Sequence, residues 1–206
     1  MIFKKPMEII LADITELPFE LYGKKKKKYL LNFIDHFSKF AFAYLIDNKK
    51  AMTILSNIKD LFSKIGYPET LGTDNGTEFT NKKFKNFLED NDVKLIHGRA
   101  YNPRSQGCIE RLHRTIKIGL ICKKLELGDN FILEKALNNV VYNYNNYIHS
   151  ATGYKPIEVF YSTSEKLYDE VYINTMNSFK YIYSRSNNFS LCEKVLLFNN
   201  FIIENI

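Results

Sequence analysis

Three carboxylates in this sequence stand where an acidic side chain needs a reason to be. Asp13 follows the apolar run Ile9 to Ala12, Asp74 closes "ETLGTD" just before a turn at Asn75 and Gly76, and Glu110 sits in the basic stretch "CIERLHRTIK". A charged group placed within or at the tip of an apolar sheet is costly to bury unless something pairs with it. A divalent cation can do so. Hard carboxylate oxygens suit Mg²⁺ or Mn²⁺, which keep several waters and complete their shell with a substrate phosphate. If the strands bearing Asp13 and Asp74 are neighbours and the helix bearing Glu110 packs beside them, the three carboxylates converge on one such cation.

On a helix advancing about 100° per residue, Arg114 and Lys117 share a face with Glu110, while Leu112, Ile116 and Leu120 fall on the opposite side. The apolar stripe would hold the helix to a core and leave Glu110 over a cationic row. Taken alone, Glu110 and Arg114 are an ordinary exposed i,i+4 pair worth about 0.2 to 0.5 kcal/mol. Only the company of Asp13 and Asp74 gives Glu110 a further meaning.

The elements that must position these groups follow from periodicity. "MEIILADITEL", "KYLLNFIDHF" and "KFAFAYLID" predict a three-stranded antiparallel meander, with "LYGKKKKK" turning between the first two strands. Ala51, Ile54, Leu55, Ile58, Leu61, Phe62 and Ile65 predict an amphipathic helix closed by Gly66 and Pro68. "ETLGTD" is a fourth strand, Phe84, Phe87 and Leu88 mark a short helix begun near Thr80 or Asn81, and "VKLIHG" is a fifth strand. A loop from Ala100 to Gly107 follows, then helices from about Gly107 to Leu125 and Phe131 to Ile148. The expected class is α/β, a five-stranded mixed sheet with helices for both faces. Residues 1–163 read as the core. In 164–206 Phe179, Tyr181 and Tyr183 alternate as in a strand, and the segment reads as a linker and the start of a small β unit.

Bulk properties narrow the partners. The 206 residues carry a formal net charge of +6, which favours a polyanion, because Lys and Arg that neutralise phosphates release counterions. Cys108, Cys122 and Cys192 have no CxxC spacing, and His36, His97 and His149 have no ligand spacing with them, so neither a disulfide framework nor a zinc site is expected. No apolar run nears the roughly 20 residues of a membrane helix. The expectation is a soluble protein that is not secreted. Asp35 reads as a sheet-end carboxylate capping backbone groups, and Lys24 to Lys28 as a solvated hairpin tip.

"LADITEL", "TDNGTEF" and "YNPRSQGCIERLHRTIK" resemble the integrase catalytic core of retroviruses and long-terminal-repeat retrotransposons. Thirty-five residues, positions 75 to 109, separate Asp74 from Glu110, the interval of that family's DDE signature. "DHFSKFAFAYLI" and "HSATGYKPIEVFY" are also similar, so the likeness runs from Met7 to Tyr161. The resemblance implies an RNase H-like fold in which Asp13, Asp74 and Glu110 are the catalytic ligands of two Mg²⁺ or Mn²⁺ ions. The implied activity nicks DNA ends and joins a 3′-hydroxyl to target DNA. Tyr101 and Gln106 match positions that touch DNA, Arg104 and Ser105 lie in the same loop, and Arg114 and Lys117 would meet phosphates. Thr15 and Asn75 match site-lining positions. His113 stands where the family usually carries Asn, and Arg104 where it more often carries Gln. The family further implies a homodimer or higher oligomer and action in the nucleus. Its amino-terminal zinc domain has no counterpart in this sequence, so a second reading stays open: a catalytically inactive or domesticated module that binds DNA or assembles on it.

Overall fold

A computed structural model of the chain describes residues 3–23, 27–97 and 103–187, with the side chains of 103–106 and 179–187 excepted. Strands β1 (Ile10–Glu16), β2 (Tyr29–Asp35) and β3 (Ala41–Ile46) form the expected antiparallel meander. A short helix, α1 (Phe19–Tyr22), sits between the first two strands. Helix α2 (Ala51–Ile65) follows, closed by Gly66 at φ 86°, a conformation that glycine adopts without strain. Strands β4 (Thr70–Thr73) and β5 (Lys94–His97) then join in parallel and complete a five-stranded mixed sheet of order β3-β2-β1-β4-β5.

Between β4 and β5 lie α3 (Thr77–Thr80), which the sequence reading left unassigned, and the expected short helix, α4 (Lys82–Glu89). Asn81 caps α4 by accepting the Phe84 N–H at 3.0 Å. After β5 come α5 (Pro103–Leu127), α6 (Leu133–Asn146), α7 (Pro156–Phe160) and α8 (Glu165–Asn187).

Two expectations are corrected here. The loop predicted from Ala100 to Gly107 is helical from Pro103 onward. Proline is at home in a first helical turn, where its missing N–H costs nothing and its fixed φ is already helical. The strand-like alternation of Phe179, Tyr181 and Tyr183 falls within helix α8. What binds that helix is tertiary: Val171 packs with Phe37 and Val159, and the Asn174 amide donates to the Thr152 carbonyl at 2.9 Å. The β segment expected at the end of the chain lies outside the described residues.

Strand alternation divides the core in two. On one face Ile9, Leu11, Leu30, Ile34 and Ala41 pack against Ile109, Leu112, Ile116 and Leu120 of α5 and Leu133, Leu137 and Val140 of α6. On the other face Ile10, Ala12, Leu31 and Phe33 meet Ile54, Ile58 and Phe62 of α2 and Phe84 and Leu88 of α4. The helix separation is tight at Gly119, where an added Cβ would come within 2.8 Å of Val140.

Two buried polar side chains fasten the edges. Asn145 of α6 accepts the Ala41 N–H and donates to the Ala41 carbonyl, both at 2.8 Å, which covers backbone groups of edge strand β3 that would otherwise stand unpaired. Asp35, at the end of β2, accepts the N–H groups of Met7 and Ser38 and the Ser38 hydroxyl. That is the capping role expected of it. Among the described residues no helix is long and apolar enough to cross a membrane.

Candidate active site

Asp13 and Asp74 are brought together by the sheet. β1 and β4 are hydrogen-bonded parallel neighbours with Ile10 opposite Leu71 and Leu11 opposite Gly72. Continued two residues, that register sets Asp13 level with Asp74. Along β1, Leu11 faces the α5 side, and the alternation of a strand sends Asp13 and Thr15 the same way. Asp74 follows the last residue of β4 and is exposed, as is Asn75.

The Asp74 turn is built by its own carboxylate, whose Oδ1 accepts the Gly76 N–H at 3.0 Å. A Cβ at Gly76 would lie 2.7 Å from the flexible end of the Glu78 side chain and 3.0 Å from Asp74 Oδ1. Behind the turn, the Asp74 carbonyl accepts the Thr73 hydroxyl at 2.9 Å and stands 3.1 Å from His97 Nδ1. Thr73, Asp74 and His97 thus lock the tips of β4 and β5 together.

Helix α5 lies over this end of the sheet. Its buried stripe is Cys108, Ile109, Leu112, Ile116 and Leu120, and Glu110 is exposed on its second turn. Two residues of the helix reach β1 directly: Lys117 Nζ donates to Thr15 Oγ1 at 2.6 Å, and His113 Nδ1 lies 3.8 Å from Asp13 Oδ2. Lys117, expected to meet a phosphate, and Thr15, expected to line the site, are therefore a hydrogen-bonded pair. His113 is 8% exposed and turned inward against Asp13.

The electrostatics mark Asp13 as the focus. Its carboxyl is pushed up to about 6, first by burial and then by the charges of Asp74 and Glu110, against an opposing pull from the Ile14 N–H at 2.7 Å and from Lys49. The charges of Asp74 and Glu110 thus reach Asp13 and add to the cost of ionising it. Burial, with the Lys117 charge next, drives His113 down to about 4, so its contact with Asp13 is one between a neutral imidazole and a carboxyl. Lys117 is held below the usual lysine range, first by burial.

Among the described residues no three His, Cys, Asp or Glu side chains are already drawn into one coordination shell. The donor set nonetheless fits a hard divalent ion: all-oxygen, level on two adjacent strands, with a third carboxylate on the helix above. Of the other expected site residues, Arg114 is half-buried on α5, while Tyr101 and the side chains of Arg104, Ser105 and Gln106 lie outside the described residues. Sequence reasoning missed His97 and also Asn32, which pairs with Asp13 across β1 and β2. A lone polar residue interrupting "KYLLNFID" was the available signal for Asn32.

Comparison with known proteins agrees with this geometry. Residues 4–103 match the family described as integrase core domain, a stretch that includes Asp13 and Asp74 and ends before Glu110. The Pol-related polyprotein of the mouse intracisternal A-particle is 37% identical over 125 residues, covering 61% of this chain and 14% of that polyprotein. The Gag-Pro-Pol polyprotein of squirrel monkey retrovirus is 33% identical over 115 residues, covering 56% of this chain and 6% of its own length. The chain thus spans a small fraction of these relatives. Among solved structures, the HTLV-2 integrase catalytic core domain in complex with magnesium superposes with a TM-score of 0.65 at 23% identity, covering 76% of this chain and 98% of that one.

Proposed function

From the premise that residues 4–103 form an integrase core domain, we propose that this chain is a polynucleotidyl transferase of DNA integration. It nicks the ends of a DNA element and joins the freed 3′-hydroxyl to target DNA. The placement of the groups carries the reading: β1 and β4 pair in parallel so that their register, continued, brings Asp13 level with Asp74, and helix α5 reaches Asp13 through His113 and Thr15 through Lys117; the rise of the Asp13 carboxyl, first from burial and also from the charges of Asp74 and Glu110, supports it. Groups far apart in sequence feel one another at one end of the sheet.

Asp13, Asp74 and Glu110 would hold two Mg²⁺ or Mn²⁺ ions. Bound there, the ions supply activation of the attacking oxygen and stabilisation of the leaving one at phosphorus. The chain's own share is positioning. The β1 backbone N–H of Ile14 fixes one oxygen of Asp13, the Gly76 N–H fixes one oxygen of Asp74, and the buried stripe of α5 fixes the height of Glu110 over the sheet. Lys117, tethered to Thr15, sets a cation beside the carboxylates where a DNA phosphate would approach. Tyr101, Arg104, Ser105, Gln106 and Arg114 would extend that contact along the strand, and Asn75 would line its entry.

The test is disintegration of a branched DNA substrate with Mn²⁺ or Mg²⁺, comparing the wild type with Glu110→Gln. Metal-dependent splicing lost in a folded variant supports the reading, and splicing that survives the substitution refutes it. A wild type that folds and binds DNA but never turns over favours the inactive assembly module. Homodimerisation and nuclear action complete the proposal on the family's behaviour, and sedimentation of the purified chain tests the first.

A further inference from the structure

Asn32 is 0% exposed in the middle of β2, and neither its amide nitrogen nor its amide oxygen has a hydrogen-bond partner. His113 Nε2 is likewise buried and unpartnered. Buried polar groups are nearly always satisfied, so three orphaned atoms in one layer call for an explanation. Their location supplies one. Asn32 is the Cα partner of Asp13 in the antiparallel β1–β2 pair, and residues directly opposite project to the same face with Cβ atoms about 4.5 to 5.5 Å apart. His113 closes the same space from α5, with its Nδ1 toward Asp13. The flanking positions on this face, Leu30 and Ile34, are apolar core, so packing alone gives no reason for an amide between them.

We propose that Asn32 is a positioning residue for Asp13: its buried amide donates a hydrogen bond to the Asp13 carboxylate when that carboxylate ligates a metal ion. The inference rests on the functional reading above. Asp13 Oδ1 accepts the Ile14 N–H at 2.7 Å. A carboxylate that ligates a metal still has lone pairs to satisfy, and the partners that satisfy them orient it and tune its affinity. Asn32 is a neutral donor on β2 directly opposite Asp13, and it adds no charge to a site already rich in carboxylates.

The test replaces Asn32 with Leu, which fills the space without polar atoms, and with Ser, which restores a donor. Each purified full-length chain is melted with EDTA and across a Mn²⁺ titration, and its disintegration rate is measured against Mn²⁺ concentration. The Leu variant should melt no lower than the wild type in EDTA yet need about 10- to 100-fold more Mn²⁺ for half-maximal stabilisation, the range for loss of an outer-shell partner. Saturating Mn²⁺ should restore most of its rate, and Ser should recover part of the affinity. Equal Mn²⁺ dependence in wild type and Leu variant overturns the proposal while leaving the transferase reading intact. A Leu variant that melts well below the wild type in EDTA also overturns it, because the amide would then be serving the metal-free fold. A wild type that shows no Mn²⁺ response overturns the transferase reading itself, and the role of Asn32 with it.

Discussion

The sharpest consequence of the site's electrostatics concerns Asp13→Asn. Burial and two neighbouring carboxylates raise Asp13 from 3.8 to about 6 in the metal-free protein. A group whose pKa is raised on folding contributes stability that is fully present below about 3.8 and is lost as pH rises through about 6. At 1.36 kcal/mol per pH unit, the ionised carboxylate costs the metal-free fold about 3 kcal/mol at neutral pH. The side chain is 27% exposed, and solvent screening reduces that figure to about 1 to 2 kcal/mol. Asn removes the charge at nearly the same shape. In EDTA at pH 7.5 the variant should melt above the wild type by about 2 to 8 °C, taking about 2 to 4 °C per kcal/mol for a chain of this size. At pH 3.5 the two should nearly coincide, because Asp13 is then protonated in the folded chain and about two-thirds protonated in the unfolded one.

Divalent metal should reverse the order. Binding to the folded state alone stabilises by about 2.7 kcal/mol when the ion is at 100 times its dissociation constant, which exceeds the penalty of the bare carboxylate. With saturating Mn²⁺ the wild type should therefore melt above Asp13→Asn, whose curve should barely move. Thermal unfolding monitored by circular dichroism at both pH values, with EDTA and with Mn²⁺, reads all four comparisons. A variant less stable than the wild type in EDTA at pH 7.5, or an equal Mn²⁺ response in both proteins, would refute the reasoning.

Other perturbations probe separate links. Asn145→Ala removes two buried hydrogen bonds to Ala41 and should cost about 2 to 4 kcal/mol in urea unfolding, since it also strands buried backbone groups; a loss under 0.5 kcal/mol would show the edge clamp to be idle. Gly119→Val forces a branched side chain into the 2.8 Å approach to Val140 and should destabilise by about 1 to 3 kcal/mol, with an unchanged unfolding midpoint as the contrary result. Lys117→Met should weaken DNA binding evenly across sequences and lower the slope of log affinity against log salt by about 1, as expected for loss of one phosphate contact. An unaltered slope would confine Lys117 to its bond with Thr15.

How much of this was legible in the sequence depended on whether a feature is local. The meander and helix α2 were readable because their side chains repeat with periods of two and 3.6 residues and are bounded by Gly66 and Pro68. Asp13 and Asp74 stood out because a carboxylate after four apolar residues, or between a strand and a glycine turn, breaks the local rule. The start of α5 was misread because Pro103 and Gly107 are loop residues by habit, although proline is also a helix initiator. Helix α8 was missed because what holds it is tertiary, Tyr168 and Val171 packing with Phe37 and Val159, which a window of sequence does not contain. His97 and Asn32 were illegible for a deeper reason. What makes them significant is register: β4 beside β5 puts His97 against the Asp74 carbonyl, and β1 beside β2 puts Asn32 opposite Asp13. A one-residue slip in either pairing would turn His97 or Asn32 to the other face and erase its role. The site is thus specified twice, by three acids visible in the chain and by strand pairings that alone decide which neutral groups surround them.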